Sequence, residues 1–390
     1  MNKITYCIPS KNNLRYLKNS IQSIKENSSN EYDIIVFIDG DNDGTEQWCK
    51  ENSINYLLNT SNKPRGIAYA YNKCIEAAIT PVVCMFHADM YMSNGFDINC
   101  LKHLREKVVV SGTRIEPPLH PAGPEKIVRN FGMYPEDFVK DEFNKFVETT
   151  KTQQADQVTY GIFAPWMCFK SELLDIGIHD ESFHSYHEDS DIFNRMILNG
   201  MKCVQSRDAL VYHLTCRGGQ FQDGVEQITT DVEFHNMKQQ SARNYLRKWG
   251  SWIKNNQFQH PIIVPKYNIA YVVKNCNYDV LVGLEPWCDR IYIDDDMQVL
   301  TSHYIDAEQL NTSYDLNKRI FRIGHNDPHG ENDVVVEFDI KRMTQTDYTY
   351  LQQLPEMIKE TGSPGEFELG SLKISIAHLE TYEKTLVNIS

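Results

Sequence analysis

The segment PVVCMFHADM, residues 81–90, carries an unbroken apolar run into His87 and Asp89. A short apolar run closed by polar residues reads as a strand buried on both faces, the kind that parallel sheets covered by helices contain. In such sheets ligands bind outside the carboxyl ends of the strands, near the point where strand order reverses. His87 and Asp89 fall in that place.

The flanking sequence repeats the theme. KITYCIP (3–9) is a short run of strand formers, and NNLRYLKNSIQSIKEN (12–27) spaces Leu14, Leu17, Ile21 and Ile24 as the apolar face of a helix. YDIIVFID (32–39) reads as a second buried strand, INYLLN (54–59) as a weaker one and RGIAYAYNKCIEAAI (65–79) as a helix. With KVVVSGTRI (107–115) as a further strand, the alternation predicts βαβ units in a mostly parallel sheet. Residues 115–158, irregular and rich in Pro and charge, read as a long functional loop containing one helix. EDSDIFNRMILNG (188–200) has acids in its first turn and Gly200 just past its end, and so predicts a helix. KCVQSRDALVYHL (202–214) supplies another strand, and a polar helical stretch follows from about 222 to 255. After NNQFQHPIIVP (255–265), read as a linker, the pattern restarts with NIAYVVKN, YDVLVGLE and DRIYIDDD. We therefore expect an α/β domain over 1–255 and a smaller α+β domain over 256–390.

Composition narrows the function. The 390 residues are 41% hydrophobic and 24% charged, as in ordinary globular proteins, and the formal charge is −14. That charge opposes binding to nucleic acid or anionic lipid, which need a basic face. No segment approaches the roughly twenty consecutive apolar residues of a transmembrane helix. MNKITYCIPS moves straight into a strand pattern with no apolar signal region, so the expected location is cytoplasmic. The ten cysteines include no C-x-x-C pair, and Cys7, Cys84 and Cys203 sit in apolar runs, as small buried hydrophobes do in a reducing compartment.

The first strand-to-helix turn, PSKNN, has no glycine, which removes the dinucleotide fingerprint and the P-loop. Nucleotide phosphates would then have to be held through a metal on carboxylate and imidazole. Taken singly, each candidate also has a plainer reading. Asp39 in FIDGDNDGT suits a turn, Glu188 and Asp189 suit a helix first turn, and His213 suits a packed strand end. Trp166 is a sugar-stacking platform or a core residue, and Asp294, Asp295 and Asp296 bind a cation or form a solvated turn.

The order of the motifs over the first 220 or so residues resembles the family 2 glycosyltransferases, inverting enzymes of the GT-A fold. YCIPSKNNLRYLKNSIQSI resembles their first strand and helix, DIIVFIDGDNDGT their acidic strand end, and NKPRGIAYAYNKCIEAA their Asn- and Gly-containing helix. VVCMFHADM lies where they carry Asp-x-Asp, with His87 replacing the first acid. IGIHDESFHSYHEDSDIFNRMILNGMKC resembles their acceptor-side Glu-Asp motif, and ALVYHLT the strand with a downstream histidine. The resemblance implies transfer of a sugar from a nucleoside-diphosphate sugar, UDP-linked above all, to a glycan or other hydroxyl acceptor. It implies Asp39 on the base, with Pro9, Ser10 and Arg65 lining that pocket. Asp89, His213 and His87 would ligate Mn²⁺ or Mg²⁺ at the diphosphate. Asp189 would be the general base and Glu188 would position the acceptor; Trp166, read from its place just before that motif, is the candidate acceptor platform. With an ordinary pKa of about 6.5, His87 would release the metal as pH falls through the low sixes. Two alternatives stay open: a degenerate module that binds nucleotide or glycan without catalysis, and a sugar-phosphate nucleotidyltransferase. The latter class carries a Gly- and Arg-rich loop that IPSKNN lacks.

Overall fold

A computed structural model describes residues 3–388 except 216–220, 223–224, 227–231 and 296. The chain divides into two compact units, one of Met1–Met237 with Asn255–Ile262 and Asn388–Ser390, the other of Lys238–Lys254 with Ile263–Val387. The sequence reading puts residues 238–254 in the first domain; in the structure they pack with the second unit.

The first unit opens with β1 (Ile4–Ser10), α1 (Leu14–Asn27), β2 (Tyr32–Ile38), α2 (Thr45–Glu51), β3 (Asn55–Leu58), α3 (Gly66–Ala77) and β4 (Val82–Met85). β1 is parallel to both β2 and β4, with Ser10 opposite Ile38 and Cys7 opposite Met85. This register brings the carboxyl ends of three strands to one edge. α1 lies on the sheet through buried Leu17, Ile21 and Ile24, as its apolar spacing demands. Each fully buried Ile, Leu, Val, Phe or Met of this core contributes about 1.5–3 kcal/mol over its exposed state.

The unit continues with β5 (Met90–Met92), α4 (Phe96–Leu101), β6 (Val108–Glu116), β7 (Lys126–Val128), α5 (Lys140–Gln153), β8 (Val158–Thr159), β9 (Trp166–Phe169), α6 (Lys170–Asp175), α7 (Glu188–Leu198) and β10 (Lys202–His213). Strand order along the sheet is β3-β2-β1-β4-β9-β6-β10-β5, with β7 on β6 and β8 on β10. The β9 and β5 pairings are antiparallel, so the sheet is mixed. Residues 115–158 are far less open than their composition implies. Phe131, Phe143 and Val147 pack with Tyr91 and Tyr212, and the Tyr212 hydroxyl donates to Gly132 O at 2.7 Å. Aromatic residues scattered among charges gave no periodic signal, yet they form a second core over β10.

Beyond the short strands β11 (Phe221–Gln222) and β12 (Val225–Glu226), α8 spans Val232–Trp249. The second unit holds β13 (Ile269–Lys274), α9 (Tyr278–Leu284), β14 (Arg290–Ile293), α10 (Val299–Glu308), β15 (Ile320–Arg322), α11 (Pro328–Glu331), β16 (Val334–Asp339), α12 (Gln345–Thr361), β17 (Gly365–Leu369) and β18 (Leu372–Ile376). Its order is β15-β14-β13-β16-β18-β17. The first four strands are parallel and alternate with helices, while an antiparallel hairpin forms one edge, so the expected α+β character is confined to that edge. Glu285, fully buried, is held by Arg247 at 2.7 Å and Arg319 at 2.6 Å. Removing one partner of such a buried pair costs about 3–5 kcal/mol. Asp294 accepts from the amides of Asn275 and Cys276, and Asp295 from that of Thr301; Asp296 lies outside the described residues. Among the described residues no helix is long and apolar enough to cross a membrane.

Candidate active site

Asp39 follows β2 and is 6% exposed. Its Oδ1 accepts from the Arg65 amide and the Asn59 side chain, both at 2.8 Å, and its Oδ2 from the Gly66 amide at 2.8 Å. The carboxylate thus satisfies amides at the start of α3, which every helix leaves unpaired. Asp39 joins the end of β2 to α3 before any ligand is considered. Ser10, also buried, donates to Asn13 Oδ1 at 2.7 Å just ahead of α1, and its carbonyl accepts from the Asp39 amide at 2.8 Å. Pro9 lies beside it, half-buried. The Arg65 guanidinium stacks 4.1 Å from the Tyr69 ring centroid and pairs with Glu181 at 3.6 Å. That side chain runs along α3 toward Tyr69.

α3 also anchors the loop that leads to Glu188. The amide of Ile67 donates to His184 O at 3.0 Å, and Asn72 exchanges hydrogen bonds with the backbone of His179 at 2.9 Å. Gly66 has φ +86°, and a Cβ there would meet His184 O at 2.0 Å. Both the left-handed backbone and the close approach require glycine. Gly66→Ala is therefore expected to lower stability by roughly 1–3 kcal/mol, read as a fall in Tm; an unchanged Tm would mean the loop is not held at this point.

The loop ends at Tyr186 and His187, both at positive φ, and turns into α7. Asp189 Oδ1 accepts from the Ser190 amide at 2.6 Å. Enclosure by the protein raises the Asp189 pKa, opposed by the Ser190 hydrogen bonds and by the Arg114 charge. Enclosure and the Asp189 charge together push Glu188 up to about 8. Glu188 Oε2 has no hydrogen-bond partner among the described residues. An unsatisfied buried oxygen costs about 1–3 kcal/mol, and a ligand hydroxyl would relieve that cost.

Trp166 belongs to neither cluster. It is 3% exposed, and its indole packs edge-on against Phe193 at 5.8 Å and near His179 at 6.2 Å. A sugar ring has no free face of it to stack on, so Trp166 is a core residue. As a β9 residue it pairs with Met85 of β4 and Ser111 of β6, inside the sheet.

His87, Asp89 and His213 do converge, with one ligand atom from each lying within 4.8 Å of the others. The convergence comes from strand register. β5 runs antiparallel to β10 with Met90 opposite His213, and the Leu214 amide donates to Asp89 O at 3.0 Å. His213 Nε2 lies 3.5 Å from Asp89 Oδ1. Burial lowers the His87 pKa to about 4, so the imidazole stays neutral well below the low sixes, against the expectation from an ordinary histidine. Burial also works against charge on His213, but Asp89 and Glu116 outweigh it and hold its pKa near 9. The proton that competes with a metal therefore sits on His213.

Glu116, at the end of β6, has no place in the sequence reading. Ile115 pairs with Tyr212 across β6 and β10, which sets Glu116 beside His213; the Oε1–Nδ1 distance is 2.9 Å. Arg114 Nη1 also donates to Oε1 at 2.8 Å, and Lys126 Nζ to Oε2 at 2.9 Å. Burial alone would raise the Glu116 pKa, but these partners hold it far below the usual carboxylate range. Its one sequence signal is an acid at the end of a strand pattern, after KVVVSGTRI.

The triad fits a divalent cation: two imidazoles and one carboxylate within reach of a single centre, with an outer carboxylate on one imidazole, as metal-binding histidines commonly have. Residues 5–171 match the model for glycosyl transferase family 2. This segment is a family 2 glycosyltransferase domain. No curated protein matches the chain. Among solved structures, the chain is similar to GalNAc-T7 with UDP, GalNAc and Mn²⁺ (9% identity over 55% of this chain and 44% of that one, TM-score 0.43). It is also similar to TarS 1–349 of S. aureus (13%, 55% and 60%, TM-score 0.41). A third is the mannosyltransferase PcManGT of Pyrobaculum calidifontis with GDP-Man and Mn²⁺ (16%, 56% and 58%, TM-score 0.39). The chain spans about half the length of these proteins. The family 2 domain ends, by this match, before Glu188, Asp189 and His213.

Proposed function

We propose that the chain is an inverting glycosyltransferase that moves a sugar from a nucleoside-diphosphate sugar, UDP-linked above all, to the hydroxyl of a glycan or related acceptor. The observation that carries this reading is the pairing of two distinct clusters in the compact unit that carries the family 2 match. One is a His–Asp–His triad at the strand ends with ligand atoms close enough to share a metal, the other an enclosed Glu–Asp pair with an unpartnered oxygen. Asp89, His213 and His87 would hold Mn²⁺ or Mg²⁺, which when bound neutralises the leaving diphosphate.

The remaining chemistry belongs to the chain. Asp189 takes the proton from the acceptor hydroxyl, and Glu188 holds that hydroxyl through its unpartnered oxygen. The acceptor oxygen attacks the anomeric carbon, the bond from that carbon to the diphosphate oxygen breaks, and the nucleoside diphosphate leaves with the electron pair. One displacement on one carbon inverts its configuration. Asp39 contributes by fixing the α3 end of the donor edge, and Pro9, Ser10 and Arg65 frame that edge. The nine described cysteines are free and mostly buried, which favours a reducing, cytoplasmic setting.

A thermal-shift series of UDP-, GDP- and other nucleotide sugars, with and without Mn²⁺, tests donor binding. Stabilisation by UDP-sugars only with metal is expected; no shift with any donor would leave the chain without this function. Donor binding without sugar release or transfer would instead mark a non-catalytic module.

The acid pair also sets a pH dependence. Raised carboxyl pKa values favour the protonated form, so the base is lost as pH falls, and from a higher pH than for an ordinary aspartate. At saturating metal, kcat/KM should still be climbing with pH above the range in which an ordinary aspartate has finished titrating. Glu188→Gln removes the group that shares the proton and should move that rise toward acid. A flat profile above that range would separate the pair from the rate.

A further inference from the structure

Three donors converge on Glu116, and each comes from a position fixed by the sheet. Arg114 and Glu116 lie on the same strand, and Lys126 faces Arg114 across β6 and β7. Arg114 is 7% exposed and its guanidinium lies 3.8 Å from the Phe163 ring centroid, which holds it in place. The Lys126 side chain is 6% exposed, and that of Glu116 only 2%. Glu116 Oε1, shared with Arg114, also takes His213 Nδ1 at 2.9 Å.

We propose that Glu116 is a positioning residue that fixes His213 as an Nε2-facing nitrogen ligand and so makes the triad select transition-metal ions over Mg²⁺. The inference rests on the metal reading given above. With Nδ1–H donated to Glu116, Nε2 is the nitrogen directed at Asp89 Oδ1, 3.5 Å away, and is the one a metal would take in place of its proton. An imidazole free to flip would offer Nε2 to the site only part of the time. Arg114 and Lys126 supply the counter-charge that keeps a buried carboxylate in this role. Two imidazoles against one carboxylate make a nitrogen-rich set. Mg²⁺ binds chiefly through oxygen and keeps its waters, whereas Mn²⁺ and later ions accept imidazole readily. Replacing the first acid of Asp-x-Asp by His87 moves the site further in the same direction.

The test uses the full chain without donor and reads metal affinity by calorimetry at one fixed pH, with Mn²⁺ and with Mg²⁺. Wild type should bind Mn²⁺ far more tightly than Mg²⁺. Glu116→Gln should weaken Mn²⁺ by about 10–100-fold with little change for Mg²⁺, so the selectivity ratio collapses; Glu116→Asp should keep part of it. In a His213→Gln background, Glu116→Gln should cost nothing further, because its effect passes through His213. A general structural role for Glu116 would instead give additive losses, or equal losses for both metals. Should Glu116→Gln not fold, the cycle is run with Glu116→Asp. Wild-type Mn²⁺ affinity in the Glu116 variants would overturn this inference alone. Failure of wild type to bind Mn²⁺ at all would overturn the metal reading and this inference with it.

Discussion

Replacing Asp189 by asparagine is expected to cut transfer by about 10²–10⁴-fold, the usual contribution of a positioned general base, while Mn²⁺-dependent donor binding stays within a factor of two or so. The two effects separate because Asp189 sits at the start of α7 with its carboxylate on the Ser190 amide, whereas the triad is built from strand ends. Asparagine keeps the shape and can still accept from Ser190, so the backbone turn at Tyr186 and His187 should survive. It cannot take a proton. Loss of kcat with unchanged donor affinity is the expected pattern, measured by transfer kinetics and donor titration on the same preparation. Near-wild-type transfer would remove Asp189 from the reaction.

Asp89→Ala is expected to abolish metal-dependent donor binding. Asp89 is the one carboxylate of the triad and 6% exposed, and without it His213 Nε2 loses its facing anion. Two neutral imidazoles would remain, a poor cradle for a hard divalent ion beside a diphosphate. The effect should exceed that of His87→Ala, since a neutral His87 adds a ligand but no charge. Calorimetry of donor with and without Mn²⁺ reads both variants. A retained metal response in Asp89→Ala would reduce FHADM to a strand end.

Much of this account was legible in the chain. Apolar runs ending in Ser10, Asp39 and Asp89 mark the carboxyl edge because parallel strands are buried along their length and polar only where they stop. What the sequence hid depends on register and burial. Nothing local ties His213 to Asp89; the antiparallel pairing of β5 with β10 does. Glu116 reads as one acid before two prolines until β6 is laid beside β10. The low pKa of His87 comes from its enclosure, which no single-residue reading contains. Trp166 shows the opposite error: an aromatic near a functional motif is drawn toward the ligand by its position in the sequence, while in the fold it is buried against Phe193 and His179. The grouping of residues 238–254 with the second unit escaped for a related reason, because a polar helix carries no mark of which core it joins.

The most direct test of the central claim is anomalous diffraction from crystals of the full chain grown with UDP and Mn²⁺. The account predicts one manganese peak shared by Asp89, His213 and His87, contacting the diphosphate, with Glu188 and Asp189 across the sugar side of the same cleft. Nucleotide bound without a peak at that triad, or a peak there with the nucleotide elsewhere, would contradict it.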